Sequence, residues 1–405
     1  MSAELLAVIA VILVAMVFDY TNGFHDAANA IATSVSTRAL TPKVALLIAA
    51  LGNFIGAHFG AKVAKTVGDG LVTLPPGLAS LGVVFAGVIG AILWNLLTWY
   101  FGIPSSSSHA LFGGLVGATL FAVGGTVQWA NIGNKVILPM ILSPLVGVLL
   151  GALVMFLLLW TIKGLSVLSR PVPYDQALDA APVDAEVKVP VGAGVGGRTG
   201  SAGPPAVAPT TPAPSSMRLR IRRIRRRGRA TLANLVQPAP LNRFFRHAQT
   251  LSAAAMAVGH GMQDAAKTMG IIVLALYTGG LQDSKTHIPE WVYYSSATVL
   301  ALGTYAGGWR IIRTLGRRII HLRPPEGFAA ETVASSVLYY NALVLGAPIS
   351  TTHTITSAIM GVGATKKISA VRWGVAGNIV IAWVLTFPGA ALFAVITYFI
   401  VRPLF

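Results

Sequence analysis

Six stretches of this chain carry no Asp, Glu, Lys or Arg over most or all of the length that crosses a bilayer. They are residues 5–18, 44–59, 78–102, 136–161, 291–309 and 373–401. About 20 apolar residues span the hydrocarbon core as a helix. In that solvent every backbone N–H and C=O must be satisfied internally, which leaves helices and closed barrels. A barrel strand alternates polar and apolar residues over about ten positions, and these stretches do not alternate. The sequence therefore specifies an all-α polytopic membrane protein. Composition agrees: 11% of the 405 residues are charged, against roughly 25% in soluble domains.

Cysteine is absent, which excludes disulfides, thiolate nucleophiles and cysteine-bound metals. The formal charge of +17 owes much to eight arginines within residues 218–229, RLRIRRIRRRGR. No aromatic residues interleave them to stack on bases, so nucleic acid is not an expected partner. Beside membrane spans such a cluster marks the cytoplasmic side and attracts anionic lipid. Ahead of it, residues 170–216 hold nine prolines and no helical period, which predicts disorder. The chain divides accordingly into a first membrane repeat (1–168), a disordered and Arg-rich cytoplasmic linker (169–240) and a second membrane repeat (241–405).

The halves are related. GFHDAANA starts at Gly23 and GMQDAAKT at Gly261, an offset of 238. PSSSSH starts at Pro104 and PISTTH at Pro348, an offset of 244. An internal repeat with nearly constant spacing marks a secondary transporter fold. The first half is expected to cross at 3–40 (one long broken crossing), 43–60, 78–103, 104–123 and 136–162. The second is expected to cross at 242–278, 291–309, 325–345, 346–365 and 373–401. Five crossings each put the halves in opposite orientation, as inverted-topology repeats with broken helices or re-entrant hairpins. Segments 104–123 and 346–365 either cross or re-enter. With the arginine cluster inside, Arg38, Lys43, Arg310, Arg313, Arg317, Arg318, Arg323, Lys366, Lys367 and Arg372 also fall inside, as the positive-inside rule requires.

Charge within the hydrocarbon costs about 2.5–3.5 kcal/mol per residue and marks function by default. Asp19, Asp26, Asp264 and Glu331 lie in apolar segments. Asp26 and Asp264 hold equivalent repeat positions and are expected to meet at mid-depth. Asn22-Gly23 and Gly259-His260-Gly261 are poor helix interior, so a break is expected there, freeing carbonyls. Asn29 lies on the same helical face as Asp26. A carboxylate, an amide and free carbonyls make a hard-oxygen cation site; the plainer alternative is a carboxylate capping a broken helix.

The serine motif favours the opposite charge. Pro104 ends one helix and suits the first turn of the next. Ser105, Ser106, Ser107 and Ser108 would then crowd a helix N-terminus, where free N–H groups and the dipole attract anions. Ser350, Thr351 and Thr352 repeat the pattern after Pro348. Two such termini facing one another would enclose a tetrahedral oxyanion. The plainer alternative is helix capping with small-residue packing. His109 and His353 close the motifs, as proton carriers or as packing residues. No metal site is assigned.

These four motifs, GFHDAANA, HGMQDAAK, PSSSSH and PISTTH, resemble the inorganic phosphate transporter (PiT) family, most closely its bacterial low-affinity branch. The resemblance covers both membrane halves. It implies phosphate import across a bacterial inner membrane by symport with Na⁺ or H⁺. For that branch it implies proton-coupled uptake of neutral metal–phosphate complexes, with Mg²⁺ or Ca²⁺ as cargo. It assigns Asp26, Asn29 and Asp264 to ion coupling, and Ser106, Ser107, Ser108, Ser350, Thr351 and Thr352 to phosphate. Glu331 resembles an acid of the family's second half and is expected in the ion-coupling set, with His25, Gln263 and Lys267. The departures are His25 and Gln263 before each Asp, where the sodium-type motif has Asn, and Lys267 after the second. An ammonium beside Asp264 neutralises it and displaces a metal cation, which favours H⁺ over Na⁺. The expected partners are phosphate and the bilayer, with a homodimer left open. Neither an enzymatic activity nor a cofactor is expected. The alternatives are a Na⁺-coupled phosphate or sulfate symporter, a channel, and an intramembrane aspartyl protease using Asp26 and Asp264 as a dyad.

Overall fold

The computed structural model describes residues 2–122, 124–168 and 239–405. The expected disordered, arginine-rich linker falls almost wholly outside the described residues. Met1–Leu159 and Pro240–Phe405 form one compact unit.

The first half holds α1 (Ala3–Ser36), α2 (Pro42–Ala57), α3 (Ala61–Gly70), α4 (Leu78–Phe101), α5 (Ser107–Thr119), α6 (Trp129–Asn131) and α7 (Leu138–Leu168). Two short strands, β1 (Val72–Thr73) and β2 (Thr126–Val127), pair antiparallel in the loops. The second half holds α8 (Ala239–Thr278), α9 (Glu290–Ala306), α10 (Trp309–Arg313), α11 (Pro324–Tyr339), α12 (Thr351–Lys366) and α13 (Trp373–Val401). Among the described residues five spans are long and apolar enough to cross a membrane unaided: α1, α4, α6–α7, α11 with its extension to Leu345, and α13. The pair α2 and α3, bent by 66°, makes a sixth.

The ten expected crossings need two corrections. First, α5 has 13 residues and α12 has 16, about 20 and 24 Å of helix against a hydrocarbon core of about 30 Å. Neither is long enough to cross alone. Second, the expected breaks at Asn22-Gly23 and Gly259-His260-Gly261 are absent. α1 runs unbroken for 34 residues and α8 for 40. The glycines serve packing instead. A Cβ on Gly23 would stand 2.6 Å from the Leu300 carbonyl of α9, and one on Gly261 2.3 Å from the Asn53 carbonyl of α2. Small residues let membrane helices approach this closely.

Each half packs its helices against the other. α13 lies on α4 and α5, with Gly90 against Ala394 and Gly117 against Ala391. Reciprocally, α7 lies on α12, with Gly151 against Ala358 and Gly361 against Val148. Likewise α9 packs on α1, while α2 meets α8 through Gly52 and Gly56. This exchange brings both aspartate motifs and both hydroxyl motifs into one buried region.

Candidate functional site

Two short helices begin inside the protein in the same way. α4 ends at Gly102, left-handed at φ +65°, and an extended segment leads to α5. Ser106 is the N-cap of α5, its hydroxyl accepting the His109 N–H at 3.2 Å. In the second half Gly346 is left-handed at φ +60°, and Ser350 accepts the His353 N–H at 3.2 Å. The prolines therefore stand in the extended segments, not in the first helical turn as expected. Ser107 and Ser108 open α5, and Thr351 and Thr352 open α12. All four are buried. The first N–H groups of a helix lack intrahelical partners, and with the helix dipoles they favour negative charge at these two starts.

α1 supplies an acid to this region. Asp26 accepts from the Ser107 hydroxyl at 2.8 Å and, more loosely, from Thr352 at 3.5 Å. Its other neighbour is the His25 ring, whose Nδ1 lies 2.7 Å from Oδ1. His25 Nε2 reaches Thr98 at 3.1 Å and Ser105 at 3.3 Å. Ser105 thus belongs to the support of His25 rather than to the helix start. Asn29, one turn on, donates to Thr351 at 3.1 Å and to Thr352 at 2.9 Å, leaving its buried Oδ1 without a partner among the described residues. Ser108 donates to the Ile349 carbonyl at 3.1 Å, tying the two motifs together.

α8 supplies the second acid. Asp264 is fully buried and bound by Lys267 Nζ at 2.5 Å, with His260 Nε2 at 3.0 Å from its other oxygen. The His260 ring is held in turn by Asn53 at 2.9 Å, and Asn53 donates to Thr304 at 2.7 Å. Asp26, His260 and Asp264 each present one ligand atom within 4.8 Å of the others. The two acids therefore meet, and three side chains could share a cation. The Lys267 ammonium competes for Asp264.

Other expected site residues lie elsewhere. Gln263 accepts from the Ile349 N–H at 3.1 Å and donates to the Ala347 carbonyl at 3.3 Å; it positions the second hydroxyl motif. Glu331 stands apart from the aspartates. It takes the Thr33 hydroxyl and, at 2.5 Å, that of Ser252, and Thr33 is seven residues beyond Asp26. His109 and His353 face each other with ring centroids 4.6 Å apart, and His353 stacks on Trp383 at 3.9 Å. They line a separate cavity of about 370 Å³ together with Met140 and Pro144. Sequence reasoning missed His260 and Asn53. The i, i+4 spacing of His260 and Asp264 was the available signal.

Residues 22–394 match the model of the phosphate transporter family. A relative from Rhizobium meliloti, named as a probable low-affinity inorganic phosphate transporter, is 40% identical over 393 residues, 96% of this chain and 95% of its own length. One of the same name from Bacillus subtilis is 35% identical over the full length of both chains. Among solved structures, one described as the sodium-dependent phosphate transporter superposes with a TM-score of 0.72 at 25% identity, covering 98% of this chain and 99% of its own.

Proposed function

Because this chain belongs to the phosphate transporter family, and is a multi-pass bacterial inner-membrane transporter rather than an enzyme, we propose that it imports inorganic phosphate by symport with H⁺. The observation that carries this reading is the use of the motif hydroxyls. Ser107 and Thr352, from opposite halves, both point their hydroxyls at Asp26. A phosphate oxygen entering between the two helix N-termini competes with that carboxylate for the same donors. Two anions close together in a low dielectric repel strongly. A proton on Asp26 removes the repulsion and releases Ser107 and Thr352 to the phosphate. Loss of the proton returns them to Asp26 and weakens the hold on phosphate. Cation and anion are thereby coupled through one pair of hydroxyls.

The pairing of Asp264 with Lys267 supports H⁺ over Na⁺, since the ammonium already supplies the positive charge that a metal ion would bring. A second reading is transport of phosphate as a metal complex. The convergence of Asp26, His260 and Asp264 within 4.8 Å favours it, because Mg²⁺ or Ca²⁺ arriving with the anion finds carboxylate oxygens there. We also infer that the halves are inverted repeats, which the reciprocal packing of α7 on α12 and α13 on α5 supports.

The test is uptake of labelled phosphate by proteoliposomes under an inward pH gradient or an inward Na⁺ gradient, each imposed alone. Uptake under the pH gradient alone is expected. Uptake under Na⁺ alone overturns the proton assignment, and stimulation by Mg²⁺ or Ca²⁺ with co-transport of the labelled metal establishes the second reading.

A further inference from the structure

The buried acids of the membrane region sort by their partners. Asp26 has His25 at 2.7 Å, and Asp264 has Lys267 at 2.5 Å. Glu331 has the hydroxyls of Thr33 and Ser252. Asp19 has none of these. It is 0% exposed, and among the described residues neither carboxylate oxygen accepts a hydrogen bond or meets a base. Asn22, one turn along the same face of α1, is also 0% exposed, with both amide atoms unpartnered. The Thr268 hydroxyl of α8 faces Asp19 without closing a hydrogen bond.

The charged groups facing Asp19 are Asp264 and Lys267 of α8, already paired with each other. α4, packed on α1, carries no charged residue, and α9 carries only Glu290, at its exposed first position. A bare carboxylate so placed is unstable as an anion: burial without a partner penalises the charge, and no fixed base offsets it. A bound proton or cation removes the penalty.

The position of Asp19 gives that vacancy of partners a purpose. Asp19, Asp26 and Thr33 are seven residues apart, as are Asn22 and Asn29. Seven residues make two helical turns of about 10.5 Å on one face. α1 therefore presents a polar ladder through the membrane, with Asp19 two turns to the N-terminal side of the phosphate region and Thr33, bonded to Glu331, two turns beyond it.

We propose that Asp19 is the carboxyl that takes up the coupling cation, with Asn22 and Thr268 as its neutral oxygen neighbours. This rests on the symport reading above, in which the cation is H⁺. An O–H bond forms on Asp19 when the proton enters and breaks as the proton passes on to Asp26, where a new O–H bond forms and frees Ser107 and Thr352 for phosphate. Asp19 thus meets the gradient and Asp26 the phosphate, with one proton serving both.

The experiment uses the full chain in proteoliposomes, wild type against Asp19→Asn and Asp19→Glu. Two readouts are compared: net phosphate uptake driven by a pH or a Na⁺ gradient, and exchange of labelled for unlabelled phosphate at equal concentrations without a gradient. Asp19→Asn is expected to lose gradient-driven uptake and keep exchange, because the phosphate region is intact and only the cation's carboxyl is gone. Asp19→Glu is expected to recover part of the driven uptake. Wild-type gradient response in Asp19→Asn overturns the proposal, as does equal loss of uptake and exchange in a protein that still elutes as a folded species. Should Asp19→Asn fail to reconstitute, Asp19→Glu decides: driven uptake falling relative to exchange supports the proposal, and both falling together overturn it. If wild type answers to Na⁺ and not to pH, the proton reading fails, while the same contrast under the Na⁺ gradient still judges Asp19.

Discussion

The two aspartate motifs share Gly-x-x-Asp-Ala-Ala and a buried position, yet they hold their charge in opposite ways. Asp26 is met by groups that a ligand could take from it, the hydroxyls of Ser107 and Thr352. Asp264 is met by a base it cannot easily lose, Lys267 at 2.5 Å. The residue three places on separates them, Asn29 in one half and Lys267 in the other. The two motifs thus share a backbone pattern, but Lys267 gives Asp264 a fixed counter-charge where Asn29 leaves Asp26 to exchangeable hydroxyls. Substrate-dependent change is expected at Asp26, and structural dependence at Asp264.

The strongest way to break this contrast is to remove each charge in turn. Asp26→Asn is expected to abolish uptake while the protein inserts and melts like wild type, since the amide oxygen still accepts from the Ser107 and Thr352 hydroxyls. Asp264→Asn leaves the Lys267 ammonium buried beside a neutral amide. Breaking one side of a buried pair costs about 3–5 kcal/mol, so the yield of folded protein falls before activity can be compared. Asp264→Asn with Lys267→Met removes both charges and is expected to restore the yield. Size-exclusion elution, thermal melting and uptake separate these outcomes. Equal destabilisation by Asp26→Asn and Asp264→Asn would sink the distinction.

A smaller change should shift the ion rather than abolish transport. Lys267→Asn gives the second motif the residue found in the first. Asp264 keeps His260 at 3.0 Å but gains a free oxygen in place of an ammonium, which is the donor chemistry of a hard cation site. Phosphate uptake is expected to become stimulated by Na⁺. Dose–response of uptake against Na⁺ in the variant and wild type checks it, and an unresponsive variant shows that Lys267 does not decide the ion.

Much of this was legible in the chain. The charge-free stretches gave the membrane class, because hydrocarbon admits few alternatives. The offset of 244 between Pro104 and Pro348 carried both hydroxyl motifs to equivalent helix starts. The glycines point to helix breaks that the structure lacks, for a physical reason. Gly23 and Gly261 lower helix propensity locally, but a membrane helix has no water to satisfy broken bonds, so their missing side chains serve close packing instead. Glu331 falls in with the aspartates on sequence alone, because sequence shows an acid in an apolar segment and not what surrounds it. The seven-residue spacing of Asp19, Asp26 and Thr33 was visible throughout; only the partnerless carboxylate of Asp19 gave it meaning.

Within the hydroxyl motifs the contrast narrows to single donors. Ser107 donates to Asp26, whereas Ser108 donates to the Ile349 carbonyl. Hydrogen bonds to charged groups contribute about 1.5–3 kcal/mol and neutral ones about 1 kcal/mol. Ser107→Ala is therefore expected to raise the phosphate KM roughly tenfold or more, and Ser108→Ala by less. Concentration series of initial uptake rates order the two, and the reverse order would show that the second serine is the one phosphate meets.

The smallest effects are expected where the two halves are most alike. Ser106 and Ser350 each cap a short helix by accepting the N–H three residues on, both at 3.2 Å. Loss of an N-cap costs about 1 kcal/mol, and in hydrocarbon the freed N–H has no water to replace it. Ser106→Ala and Ser350→Ala should each lower the melting temperature by a similar amount. Their effects on transport should differ, because α12 has further anchors: Gln263 holds the Ile349 N–H, and Asn29 binds Thr351 and Thr352. Among the described residues, α5 has Ser107 on Asp26 and Ser108 on the Ile349 carbonyl in its first turn, and Ser105 beside Thr98 and His25 in the segment before it, but nothing that doubles as Asn29 does on α12. Ser106→Ala should therefore weaken phosphate uptake more than Ser350→Ala at equal loss of stability. Equal effects on both measures would mean that the two caps do no more than hold their helices, and that the asymmetry of this site lies wholly in the charges of Asp26, Asp264 and Lys267.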